Sequence, residues 1–125
     1  MRKNAGLWID HATALIVNLD GDSSESRRIN SDLANHPHSD AIADDIRQDV
    51  ETEYLKRFYD EIINTVSDAK SLFIFGPGEA KGELEKRIID KHLQNVELHI
   101  EATDKMTDAE IIAKVRSHFD KDSLA

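Results

Sequence analysis

Gly76-Pro77-Gly78-Glu79-Ala80-Lys81-Gly82 is the stretch whose composition comes nearest to a phosphate-binding loop. A helix that starts after flexible glycines offers free backbone N–H groups to an anion. The spacing fails both standard patterns. A Walker loop needs Gly-Lys followed by Ser or Thr, and here Lys81 precedes Gly82. The dinucleotide fingerprint needs a glycine three places after its second one, where this chain has Lys81. Glu79, expected in the first helical turn, also repels phosphate. The favoured reading is a tight strand-to-helix turn with Lys81 facing solvent, and no cofactor is implied.

Three other groupings bear on chemistry. Asp10-His11 offers an acid beside an imidazole, yet no serine or cysteine nucleophile motif accompanies it, so turn capping is the favoured role. Asp10 and Glu79 close different strands whose ends are expected to be neighbours. A metal nuclease needs more clustered carboxylates than that, and Leu72–Phe75 contains none. His36 and His38 with Asp32 and Asp40 have ligand-type side chains but sit around Pro37 in a polar loop, without the rigidity of a metal site. No metal site is expected.

The elements that must position these residues follow from period. Leu72-Phe73-Ile74-Phe75 is a continuous apolar run closed by Gly-Pro-Gly, as in a central strand buried on both faces. After it Ala80, Leu84, Ile88 and His92 recur every fourth residue, which predicts a helix from near Glu79 to about Leu93. Upstream, 5–10 and 12–19 read as strands, joined at Asp10-His11. Asp20-Gly21 marks a hairpin leading into a polar third strand over 25–30, which belongs at a sheet edge. Ser31 to Gln48 lacks a period and reads as a long mobile loop, with a helical turn late in it. Val50, Tyr54, Phe58, Ile62 and Val66 then predict the longest helix, ending near Asp68. Val96–Ile100 alternates as a fifth strand. Thr107-Asp108-Ala109-Glu110 is a capping box that opens a last helix buried through Ile111, Ile112, Val115 and Phe119. From Asp120 to 125 the tail is polar and is expected to fray.

The order β-β-β-α-β-α-β-α describes an α/β, RNase H-like fold: one domain over 1–125, with a five-stranded mixed sheet, three helices and the first strand between the second and fourth. Length and composition agree with a single globular domain. There is no cysteine, which removes disulfides and thiol chemistry. No apolar run is long enough to span a bilayer and no signal-type segment follows Met1-Arg2-Lys3, so a cytoplasmic location is expected. The formal net charge of −9, with basic residues only in small groups such as Arg27-Arg28, disfavours free nucleic-acid binding. A local contact patch within a larger assembly is compatible with it.

Three pieces carry a family resemblance: Gly6-Leu7-Trp8-Ile9-Asp10-His11, the block from Phe73 to Leu84, and Thr103-Asp104-Lys105-Met106-Thr107-Asp108. Together they resemble bacterial relatives of the archaeo-eukaryotic peptide release factors, and the central domain of those factors and of Pelota. The resemblance spans about Gly6 to Phe119. It implies the RNase H-like fold of translational machinery components and a ribosome or translation-component partner, with ribosome rescue as one such role. The Ser31–Gln48 loop and the Gly76–Gly82 turn are the expected contact elements, and Gly76, Pro77, Gly78, Glu79, Lys81, Asp10 and His11 the candidate binding residues. In that family a Gly-Gly-Gln tripeptide in the loop before the long helix hydrolyses peptidyl-tRNA. Here Ser31–Gln48 has no glycine, and Gln48 stands in the context Arg-Gln-Asp. Without glycine the backbone lacks the freedom for that approach. The expectation is therefore a non-catalytic factor. The alternative is a small hydrolase or a nucleotide- or metal-binding enzyme using Asp10, His11, Glu79 and Lys81.

Overall fold

The computed structural model describes residues 3–21, 23–31, 44–91 and 96–123. Eight elements follow in the expected order: β1 Lys3–Ile9, β2 Thr13–Asp20, β3 Ser23–Asn30, α1 Asp44–Thr65, β4 Ser71–Gly76, α2 Ala80–Asp90, β5 Glu97–Ala102 and α3 Asp108–Ser123. The strands form one sheet in the order β3-β2-β1-β4-β5. β1–β2 and β2–β3 pair antiparallel, whereas β1–β4 and β4–β5 pair parallel. The predicted α/β mixed sheet with β1 at its centre is thus the observed one.

Strand alternation divides the core into two layers. Leu7, Ile9, Ile16, Leu72 and Ile74 face Phe58, Ile62, Leu84 and Ile88 of α1 and α2, with Val66 just after α1. Trp8, Leu15, Val17, Phe73 and Phe75 face Ile111, Val115 and Phe119 of α3. Each large apolar side chain so buried contributes about 1.5–3 kcal/mol. α3 approaches β1 so closely that a Cβ on Gly6 would lie 2.6 Å from Val115 Cγ2. Gly6 is there because no side chain fits between strand and helix.

Local chemistry sets the ends of the elements. Gly21 has φ 65°, the positive value that the Asp-Gly turn requires. The capping box closes as predicted: Glu110 N–H donates to Thr107 Oγ1 at 3.2 Å and Thr107 N–H to Glu110 Oε1 at 3.0 Å. β3 is exposed at all but one of its positions, as an edge strand rich in charge should be. α1 begins at Asp44, so Gln48 lies inside a helix rather than in a loop. The sequence period becomes visible only from Val50 because the first turns are polar. Asp32, His36, His38 and Asp40 lie outside the described residues, as do His92 and Leu93.

Candidate functional site

The parallel strands β1, β4 and β5 end on the same side of the sheet. In open α/β sheets this carboxyl end is where ligands and partners are met. Asp10-His11 leaves β1 there, Gly76-Pro77-Gly78 leaves β4, and Thr103-Asp104 leaves β5.

Gly76 and Gly78 both have positive φ, 150° and 68°. Their constraints differ. A Cβ on Gly76 would come within 2.2 Å of the Ile9 carbonyl oxygen, so the turn presses against the end of β1. A Cβ on Gly78 would meet nothing within 4 Å, leaving the conformation itself as the constraint. Glu79 is the N-cap of α2 and makes no side-chain capping bond. Lys81 is partly exposed, and its ammonium folds back to donate to the Gly78 carbonyl. Helical side chains lean toward the N-terminus, so a lysine in the first turn of α2 reaches back over the bend.

Asp10 is consumed locally. Its Oδ1 accepts from the N–H groups of Ala12 and Thr13, both at 2.8 Å, and its own N–H donates to the Thr13 carbonyl at 3.0 Å. That arrangement is an Asx-type turn which closes the β1–β2 connection. It directs His11 outward toward α2, where Nε2 lies 3.0 Å from Glu83 Oε1. The same carboxylate oxygen accepts from the Tyr59 hydroxyl at 2.6 Å. Glu83 therefore joins α1, α2 and the β1–β2 turn through one atom. Burial, followed by the hydrogen bond to Glu83 and its negative charge, raises the Tyr59 phenol well above its ordinary value. A phenol so placed is a structural donor near neutral pH.

The β5 exit is tied to the same place. Thr103 N–H donates to the Gly76 carbonyl at 3.1 Å, and Trp8 Nε1 donates to the Asp104 carbonyl at 3.3 Å. The three sequence pieces singled out above, far apart in the chain, thus converge on one end of the sheet. His11, Gly76, Gly78, Glu79 and Lys81 frame that end, and Asp10 holds its corner. Tyr59 and Glu83 were not among the expected site residues. The available signal was a hydroxyl on the apolar face of α1, since a buried Tyr needs an acceptor.

Chemically the site offers an exposed imidazole held by a carboxylate, a lysine ammonium and an uncapped helix start. Among the described residues no group of three or more His, Asp or Glu could hold a metal ion. A polar groove of about 440 Å³ lined by Lys3, Asn18, Asp20, Ser24, Thr65 and Asp68 lies at the opposite end of the sheet.

No family model matches the sequence, and no curated protein matches it. Solved structures do share its fold. The Pelota protein of Thermoplasma acidophilum superposes with a TM-score of 0.59 at 15% identity, over 93% of this chain and 32% of that one. Pelota of Archaeoglobus fulgidus gives 0.57 at 14% identity, over 94% and 32%. An archaeal translation termination factor gives 0.52 at 16% identity, over 98% and 40%. The chain spans about a third of the length of the Pelota chains it matches. At identities this low the superpositions show the fold alone: the chain has a release-factor-like α/β fold.

Proposed function

We propose that this protein is a non-catalytic translation-associated factor that engages ribosomes or translation components, in the manner of ribosome rescue. The reading is supported chiefly by one observation. A fold like that of Pelota and the archaeal termination factor occurs in a chain whose three release-factor-like sequence pieces meet at one end of the sheet. The proposed family is the bacterial relatives of those factors. The proposed contact residues are His11, Gly76, Pro77, Gly78, Glu79 and Lys81, with Asp10 fixing the corner. Sequence argues against hydrolysis, because Ser31–Gln48 has no glycine to shape a Gly-Gly-Gln loop.

Charge fits a protein partner or a composite surface better than free RNA. At −9 overall, counterion release gives little affinity for a bare phosphate backbone. The test is co-sedimentation with normal and stalled ribosomes, with peptidyl-tRNA hydrolysis followed in the same mixtures. The protein should pellet with ribosomes and release no peptide above background. Peptide release well above background would transfer the site to the hydrolase reading.

A further inference from the structure

Strand β5 ends the sheet opposite β3, and the two edges are built differently. On β3, Arg27 is paired with Glu61 of α1, and Arg28 with Asp108 of α3. Charges that strap an edge to its flanking helices discourage another strand from adding there. β5 is tied to α3 through Glu101 and Lys114, but its residues alternate apolar and polar rather than running polar throughout, and no described strand covers its outer edge. α3 lies over β1 and β2, and α1 packs on β3, so neither helix is centred on β5.

The hydrogen-bond parity of β5 is fixed at both ends. Glu97 N–H donates to the Lys70 carbonyl at 2.9 Å and Thr103 N–H to the Gly76 carbonyl at 3.1 Å. Residues 97, 99, 101 and 103 therefore turn their backbone groups inward to β4. Leu98, Ile100 and Ala102 turn theirs outward. The side chains divide in the same way. Leu98 and Ile100 pack, partly buried, against the α1/α2 layer. His99 lies on the α3 face, its ring centroid 5.3 Å from that of Phe73, and Glu101 bonds Lys114 of α3 at 2.9 Å.

We infer that β5 pairs antiparallel with β5 of a second copy, about a two-fold axis at Ile100. The occupant follows from the strand's own pattern. With Ile100 opposite its symmetry mate, Leu98 faces Ala102, so the apolar face meets only apolar residues. On the other face His99 stands opposite Glu101 and, by symmetry, Glu101 opposite His99. Leu98, Ile100 and Ala102 are the residues with outward backbone groups, so they form the hydrogen-bonded pairs. Shifting the axis to His99 instead sets Glu97 against Glu101 twice, a like-charge juxtaposition that disfavours that register. The interface is isologous and closes as a dimer, joining two sheets into one.

Sedimentation equilibrium of the full chain over a wide concentration range tests this, with two variants at the exposed position 99. Wild type should pass from monomer to dimer as concentration rises. His99→Glu places two like-charge pairs across the axis and should raise the dimer dissociation constant on the order of tenfold. His99→Lys sets a cation opposite Glu101 in both cross-axis pairs and should dimerise at least as well as wild type. Melting temperatures close to wild type establish that both variants are folded. A wild-type chain that stays monomeric throughout overturns the proposal, as does a dimer that His99→Glu leaves unchanged. Equal weakening by His99→Glu and His99→Lys would overturn the Ile100-centred register.

Discussion

Gly76 shows how much a single missing side chain decides. Its φ of 150° and the 2.2 Å that would separate a Cβ from the Ile9 carbonyl bring the β4 exit against the β1 exit. Gly78 has only the conformational constraint, roughly 1–2 kcal/mol for an L-residue in the left-handed region. Gly76→Ala should therefore lower the melting temperature more than Gly78→Ala, because backbone must also shift. Equal effects would mean that the close approach to Ile9 is unimportant. Tyr59 makes a second residue-scale prediction. Its raised value means that it contributes stability in full below about pH 10, the unfolded value, which is lost as pH rises above that. Tyr59→Phe should flatten the alkaline fall in melting temperature. An unchanged alkaline limb would show that Tyr59 ionises freely in the folded chain. The glycines were legible in the sequence as a turn, since Gly-Pro-Gly has few other uses. The bond from Tyr59 to Glu83 was not, because periodicity places a residue on a face without saying which side chain crosses from the next helix.

At the scale of elements, α1 and α2 are joined by Asp60, which accepts from Arg87 Nε at 2.6 Å and Nη2 at 2.9 Å, with Lys91 at 3.2 Å. The Arg87 hydrogen bonds hold the Asp60 carboxyl below its ordinary value. The linkage sign is that of a depressed acid. The stabilisation is present above about pH 4, the unfolded value, and is lost as pH falls through the lower folded value. Asp60→Asn should be destabilised at neutral pH and should show a shallower acid-induced loss than wild type. An acid limb identical to wild type would place the sensitivity in other pairs, such as Glu101 with Lys114. Element identity was readable from period and caps: the Thr107–Glu110 box and the Leu72–Phe75 run fall where the sequence put them. Boundaries were less readable. α1 starts at Asp44 because a polar first turn has no apolar period to announce it.

Taken whole, the molecule is a sheet with helices on both faces, and Asp10-His11, Gly76–Lys81 and Thr103-Asp104 are gathered at one end. That gathering was half visible in the sequence. The motifs were apparent, but their meeting depends on β4 lying parallel beside β1, which puts Gly76 at Ile9 and His11 at Glu83. The central claim is that this end of the sheet makes the contact with translation components. The direct measurement compares wild type with a His11→Ala, Lys81→Ala double variant in co-sedimentation with stalled ribosomes. Both side chains are at least partly exposed and make only surface bonds, so stability should change by no more than about 1 kcal/mol. The account predicts that wild type pellets with ribosomes and that the folded double variant pellets about tenfold more weakly, the loss of about 1.4 kcal/mol of contact. Equal pelleting of the two, or wild type remaining wholly in the supernatant, would contradict it.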